Sequence, residues 1–238
     1  MNSNEVWNEY LDGLKPIWEG LRNENFEKSK CVWSRLPNVD DLKTAIAQAP
    51  VEAFERKANT QFSVEAAKKD EVIERLKEGN TFVALDAATR WALFPILKHL
   101  QGPVASVLGC KWRVLNCRAW IASHGASGGP YEWHSDGMPE QMLKLMIYCN
   151  EMGGDYGGLE VDTGDGTTKE ISGPAGTWVL FYNSVLMHRG IPPRKPGLKR
   201  VVMEITLAPW VRFVVIPRSL GVNGKHPAFP LMNDLEGL

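Results

Sequence analysis

The spacing of hydrophobic and polar positions divides the chain into a first part with helical patterns and a second part with strand patterns. Aromatic and aliphatic side chains recur at three- and four-residue steps over residues 4–22, which predicts an amphipathic helix that Pro16 kinks or splits. A helix start signal, Asn-Val-Asp-Asp, predicts a second helix over about 38–49, and Pro50 stops it. The first hundred residues are therefore expected to be mainly helical.

Residues 63–100 are predicted to form two further helices with one short strand between them. Residues 51–62 are ambiguous, and residues 63–79 carry the pattern of a helix that begins at a serine and ends at a glycine. A β-branched and aromatic run predicts a strand at 81–85. Asp86 is then expected to cap a helix that runs through about Leu100 and is closed by the Gly-Pro pair that follows.

Beyond about residue 111 the pattern changes to short β-prone runs separated by glycine-rich turns. Predicted strands cover residues 113–121, 144–150, 159–162, 169–171, 176–181, 200–207 and 211–216. Short antiparallel strands at this spacing favour a jelly-roll barrel. We therefore expect one domain over 1–238, with a helical elaboration at 1–103, a jelly-roll core at 104–216 and a tail at 217–238.

Composition excludes several classes of function. The chain has 238 residues and a net charge of −1 from 27 basic and 28 acidic side chains, so neither nucleic acid nor a membrane surface is expected as a partner. No apolar run reaches the roughly 18 residues of a membrane span, and the first residues do not resemble a signal peptide. The four cysteines are scattered, which favours free thiols in a reducing compartment. These features predict a soluble cytoplasmic protein of undetermined oligomeric state.

The candidate chemistry centres on the sequence Tyr-Glu-Trp-His-Ser-Asp-Gly at 131–137. His134 and Asp136 lie two positions apart, so on an extended backbone both side chains point to the same side. His188 is the best candidate for a third ligand. Two histidines and one carboxylate form the ligand set of non-haem Fe(II) oxygenases. Two alternatives stay open: a hydrogen-bonded polar cluster without metal, and a cupin-type site for another metal.

Several motifs in order resemble the Fe(II)/2-oxoglutarate-dependent dioxygenase superfamily. The His-x-Asp motif at 133–136, the run at 157–161 and the run at 176–181 before His188 match it, and the resemblance spans about residues 64–210. The run at 71–85, with the helix that follows it, is similar to the N-terminal half of phytanoyl-CoA dioxygenase-like members, whereas the tight hairpin from Gly158 to Gly176 is more similar to prolyl-hydroxylase-type members. The resemblance implies a mainly β fold with α, a double-stranded β-helix core with N-terminal helices packed on it. It also implies Fe(II), 2-oxoglutarate as co-substrate and O2.

A keto acid bound to such a site needs a cation for its far carboxylate, and a planar guanidinium fits that group best. Arg200 opens a predicted strand shortly after His188, in the range where the family places this residue. Arg194 and Lys199 are rivals, but Arg194 lies in a proline-rich turn. If Arg200 faces inward, period-two alternation turns three further residues inward with it, namely Val202, Glu204 and Thr206.

The predicted function is oxidation of a small-molecule substrate, with hydroxylation as the default outcome and release of succinate and CO2. Asp136 argues against halogenation, because related halogenases lack this carboxylate. The alternatives are a non-catalytic jelly-roll binding module and a cupin-type metalloenzyme that does not use 2-oxoglutarate. Four strand residues face either the barrel mouth or the surface, and alternation alone does not decide between them: Asn116, Arg118, Lys144 and Tyr148. Trp178 is expected in the core, His124 in a solvated loop and His99 at a helix end.

Overall fold

The computed structural model of the protein describes residues 30–49, 52–55, 60–63, 80–83, 85–136 and 142–209. The elements predicted at 4–22 and 211–216 lie outside these residues, and so does the helix predicted at 63–79 apart from Ser63, which lies at the end of a strand. The helices are α1 (Asp40–Gln48) and α2 (Ala87–Leu108). The strands are β1 (Cys31–Arg35), β2 (Glu52–Glu55), β3 (Thr60–Ser63), β4 (Asn80–Val83), β5 (Trp112–Ser123), β6 (Leu143–Tyr148), β7 (Gly158–Asp162), β8 (Thr168–Ile171), β9 (Thr177–Phe181), β10 (His188–Ile191) and β11 (Lys199–Pro209).

Two antiparallel sheets lie face to face and form the predicted jelly roll. The large sheet has the strand order β1-β9-β6-β11-β5-β4, and the small sheet has the order β10-β7-β8. Strands β2 and β3 form a separate hairpin. A buried apolar cluster joins the facing surfaces, because residues of the large sheet such as Met146 and Val202 belong to the same cluster as Leu159 and Ile171 of the small sheet.

The other face of the large sheet packs against the two helices. Leu42 and Ile46 of α1 and Leu97 of α2 share a second buried cluster with Leu145 and Ile205 of the sheet. Trp178 belongs to this cluster, which confirms its predicted place in the core. We call this side the outer face of the large sheet and the side toward the small sheet its inner face.

The start of α2 follows the predicted capping, but its end does not. Asp86 accepts a hydrogen bond from the backbone N–H of Thr89 at 2.8 Å, which confirms the cap. The predicted end near Leu100 was wrong, since the helix continues through Pro103 to Leu108. A proline inside a helix costs about 3 kcal/mol.

The burial of apolar side chains in the last turns of α2 offsets the cost of Pro103. Val104 and Leu108 continue the buried face of Leu100 at successive turns, and burial of each such side chain contributes roughly 1.5–3 kcal/mol. Gly109, with a φ of 70°, then ends the helix in the left-handed conformation. His99 lies inside the helix rather than at its end, so the predicted interaction with the helix dipole was also wrong.

Strands from the predicted helical part complete the large sheet. Strand β1, which the sequence pattern does not predict, pairs with β9 at one edge of the sheet, and β4 pairs with β5 at the other edge. The division proposed at residue 103 falls inside α2. Neither helix in the described ranges has the length and apolar character that crossing a membrane requires.

Candidate metal centre

Pairing between two distant segments brings the predicted ligands together. The N–H of His134 donates to the carbonyl of His188 at 3.0 Å, and the N–H of His188 donates back to the carbonyl of His134 at 2.9 Å. The His-x-Asp segment thereby extends the small sheet beside β10, and the two imidazole centroids lie 4.4 Å apart. One ligand atom from each of His134, Asp136 and His188 lies within 4.8 Å of the other two.

Both histidines are oriented by a backbone carbonyl. Nδ1 of His134 lies 2.7 Å from the carbonyl of Glu132, and Nδ1 of His188 lies 2.8 Å from that of Leu186. A carbonyl oxygen only accepts, so in each ring Nδ1 carries a proton, and in the neutral form of the ring the lone pair is on Nε2. Burial lowers the pKa of His188 to about 4, so this imidazole is neutral at pH 7. Only neutral imidazole binds a metal ion.

Asp136 is held as an ionised carboxylate. Its Oδ1 lies 3.6 Å from Nε2 of His134, and its Oδ2 contacts Nζ of Lys144 and accepts from Nδ2 of Asn183 at 3.1 Å. Burial opposes ionisation, but the charge and hydrogen bond of Lys144 and the hydrogen bond of Asn183 hold the pKa of Asp136 below its ordinary value. Two imidazole nitrogens and one carboxylate oxygen fit a ferrous ion with open positions.

Arg200 is a buried cation with no anionic partner among the described residues. Its side chain lies on the inner face, with 3% of the residue exposed, and its guanidinium carbon lies 5.6 Å from the centroid of the Tyr148 ring. Nη1 donates to the carbonyls of Tyr156, at 3.0 Å, and Ile191. Nε has no hydrogen-bond partner, and no carboxylate of the described residues lies within ion-pairing distance. Burial lowers the pKa of Arg200, and a buried charge of this kind calls for a counter-ion.

The two rivals of Arg200 lie in different surroundings. Arg194 is an exposed loop residue whose Nη2 donates to the carboxylate of Glu170 at 2.7 Å. Lys199 is exposed at the start of β11. Arg194 therefore already has an anionic partner on the surface, whereas Arg200 lies in the interior of the jelly roll.

Three of the four polar strand residues that alternation left undecided lie on the inner face, namely Arg118, Lys144 and Tyr148. Arg118 donates through Nε to Glu204 at 2.6 Å, and Nζ of Lys144 lies 3.6 Å from the second oxygen of Glu204. Tyr148 lies under Arg200. The side chain of Asn116 is outside the described part of the chain. Sequence reasoning did not foresee that Lys144 touches a predicted ligand, because the alternation along β6 does not say which face is inward.

Two further details complete the surroundings. Asn183 was not singled out from the sequence, although it lies in the same segment as His188 and also accepts the N–H of Asp136 through its carbonyl at 2.7 Å. His124 is exposed in its loop and lies 3.0 Å through Nδ1 from the carbonyl of Pro193, apart from the ligand group. Gly190 leaves room for the loop before His134, because a Cβ there would lie 3.3 Å from the Tyr131 ring.

Comparison with known proteins identifies the fold through structures alone. No protein-family model and no curated protein sequence matches the chain. The non-haem α-ketoglutarate-dependent epimerase SnoN from nogalamycin biosynthesis is similar, with a TM-score of 0.57, 10% identity and coverage of 82% of this chain and 83% of that one. A Pseudomonas putida prolyl-4-hydroxylase has a TM-score of 0.54 and 16% identity, with coverage of 79% and 96%.

A third solved structure, the nickel complex of the non-haem monooxygenase ThoJ, has a TM-score of 0.52 and 15% identity, with coverage of 78% and 76%. The chain has the fold of these enzymes. The predicted fold class, a mainly β double-stranded β-helix with helices packed on it, is thereby confirmed. At these identities the likeness concerns the fold, and the chemistry is argued from the site itself.

Proposed function

We propose that the protein is an Fe(II)/2-oxoglutarate-dependent oxygenase that hydroxylates a small-molecule substrate with O2 and releases succinate and CO2. The observation that carries this proposal is the buried guanidinium of Arg200, which has no anionic partner among the described residues and shares the jelly-roll interior with the ligand group of His134, Asp136 and His188. A metal-binding triad alone fits many reactions. A triad together with an unpaired interior cation fits a dicarboxylate that chelates metal at one end.

Each residue has a defined role in this proposal. His134, Asp136 and His188 hold Fe(II), which together with 2-oxoglutarate supplies the activation of O2 for substrate oxidation. The carbonyls of Glu132 and Leu186 keep both imidazoles in the ligating tautomer. Arg200 binds the far carboxylate of 2-oxoglutarate through N–H groups that no described residue engages.

Fold relatives support the reaction class. SnoN is described as α-ketoglutarate-dependent, and one of its structures contains Fe3+, α-ketoglutarate and nogalamycin RO. The same fold carries an epimerase, a prolyl hydroxylase and a monooxygenase, so it does not select the oxidative outcome. Hydroxylation is proposed as the default outcome of an intact triad. A small substrate is favoured over a nucleic acid because a net charge of −1 provides no basic surface that would attract a polyanion.

We also infer a single catalytic domain over 1–238 and a cytoplasmic location. Cys31, Cys117 and Cys149 are buried free thiols, and Cys110 is a partly exposed one. Burial raises the pKa of each of these four thiols, so they remain protonated and unreactive at neutral pH. This usage supports a reducing compartment.

Anaerobic titration tests the proposal. Fe(II) and then 2-oxoglutarate are added to the protein, and the visible charge-transfer band of a chelated keto acid is followed. We expect a saturable band in the wild type and in Arg194→Ala, and none in His134→Ala. Fe(II) binding without the band would instead indicate a cupin-type enzyme that does not use 2-oxoglutarate. Absence of metal binding would indicate a non-catalytic binding module. Screening compounds for stimulated succinate formation then identifies the substrate.

A further inference from the structure

The two carboxylate oxygens of Asp136 have different surroundings. Oδ1 lies 3.6 Å from Nε2 of His134, a nitrogen that can bind the metal. Oδ2 is contacted by Nζ of Lys144 and by Nδ2 of Asn183, the latter at 3.1 Å. One oxygen therefore belongs to the ligand group, while the other is engaged by hydrogen-bond donors of the protein.

Lys144 is fixed between two carboxylates. Its side chain on β6 is 10% exposed, and its Nζ lies 3.6 Å from Oε2 of Glu204 on the neighbouring strand β11. Glu204 in turn accepts from Arg118 at 2.6 Å. The sequence of charges from Arg118 through Glu204 and Lys144 to Asp136 alternates in sign, so each buried charge has an opposite neighbour. The ammonium is consequently held at Oδ2 rather than free to leave it.

This arrangement matters because a carboxylate binds a metal through one oxygen or through two. On a six-coordinate ion the three-ligand site would leave three positions open, and a chelating keto acid would take two of them. If Asp136 bound through both oxygens, it would fill the last position. A donor that retains Oδ2 prevents this.

We propose that Lys144, together with Asn183, is a positioning residue that keeps Asp136 a one-oxygen ligand and thereby keeps the last coordination position open. This inference rests on the proposed function, since it concerns a metal site that also holds a keto acid. It assigns to Lys144 a role that acts through its contact with Asp136.

Nitric oxide, a stable probe of an open position on Fe(II), tests the inference. It is added anaerobically to the Fe(II)-loaded protein with and without 2-oxoglutarate, and the electron paramagnetic resonance signal of the adduct is measured. In Lys144→Met we expect Fe(II) to bind no more weakly than in the wild type, because a nearby cation is lost and a second ligand oxygen is gained. With 2-oxoglutarate present, the adduct should fall by about tenfold or more, which is the size of effect that outer ligand-supporting residues have.

Comparison variants separate this role from general damage. Lys144→Gln keeps an N–H donor near Oδ2 and should retain most of the adduct. Lys195→Met removes a matched lysine–aspartate pair on the surface, where Nζ lies 2.5 Å from Asp155, and should behave as the wild type. Without 2-oxoglutarate all variants should form the adduct, since other positions are then open.

The outcomes are distinguishable. An equal adduct in Lys144→Met and the wild type with 2-oxoglutarate present would overturn the inference, and so would a parallel loss of Fe(II) binding and adduct. If Lys144→Met does not fold, Asn183→Ala removes the second donor, and the same 2-oxoglutarate-dependent loss is expected to a smaller degree; no loss overturns the inference. A wild type that lacks the charge-transfer band would overturn the proposed function instead.

Discussion

The two faces of the large sheet are built from alternate residues of the same strands and are buried to a similar degree, yet their chemistry differs. On β11, Met203 and Ile205 are fully buried in the apolar outer cluster against the helices. Arg200 and Glu204, on the same strand, are almost as buried on the inner face, at 3% and 5% exposure. The outer face supplies stability through apolar packing. The inner face instead buries charged side chains. Removing a charge from water costs free energy, and an oppositely charged partner is needed to offset that cost.

Two groups of charges at the inner face differ in whether the described residues provide an opposite charge. Arg118, Glu204, Lys144 and Asp136 neutralise one another. Arg200 has only carbonyls and an aromatic ring around it among the described residues. The first group is complete within the protein, whereas the second is complete only with a bound anion. The predictions below test this division between stabilising and ligand-binding burial, from the largest expected effect to the smallest.

Replacement of a predicted ligand should abolish activity without loss of the fold. His134→Ala removes an imidazole whose side chain is 28% exposed and which serves the open site rather than a core, so iron-dependent succinate formation should disappear while the melting temperature changes little. Succinate assays and thermal unfolding of the same preparation check this. Retained turnover would remove His134 from the ligand set.

Replacement of the interior cation should affect the co-substrate selectively. Arg200→Ala should weaken 2-oxoglutarate binding by roughly 2–5 kcal/mol, or on the order of 30- to 5,000-fold, because a buried charge-assisted contact is lost. Arg200→Lys should also be impaired, since an ammonium does not reproduce the planar fork. The 2-oxoglutarate dependence of succinate formation measures both. Arg194→Ala is the control; a large defect there beside a normal Arg200→Ala would reverse the assignment.

Replacement on the outer face should lower stability and leave the site intact. Ile205→Ala creates a cavity in the apolar cluster, which should reduce the free energy of unfolding by about 2–5 kcal/mol. Chemical denaturation measures this loss, and Fe(II) titration of the folded variant should give the wild-type affinity. Weaker metal binding by the folded variant would show that the two faces are coupled.

Acidification should destabilise the metal-free protein through His188. Its folded-state pKa is lowered from 6.5 to about 4, so between these values the unfolded histidine is protonated and the folded one is neutral. The unfolded state then binds more protons, and stability present above pH 6.5 is lost as the pH falls toward 4, by at most about 3 kcal/mol. Unfolding measured across this range tests the expectation. His188→Asn should flatten the profile, and an unchanged slope would contradict the assignment.

Much of this architecture was predictable because it depends on neighbours in the sequence. The cap of Asp86 on α2 needs only a side chain three positions from its partner. Alternation correctly placed Arg200, Val202, Glu204 and Thr206 on one side of β11, and Arg118 with Trp120 on one side of β5. The two-residue spacing of His134 and Asp136 likewise follows from the geometry of an extended backbone.

The tertiary structure decided the rest, because those features depend on contacts between residues distant in sequence. The backbone pairing of His134 with His188 brings the ligand atoms together, and the contact of Lys144 with Asp136 joins β6 to a loop. Pro103 is a local signal for the end of a helix, but α2 continues past it to Leu108 because its apolar face is buried in the core. Alternation fixes which residues share a face, but only packing between sheets decides which face is inward. The sequence by itself thus determined the start of α2, most strands after residue 111 and the candidate ligands. The fold determined which of the described charges are paired, and that Arg200 has no anionic partner among the described residues.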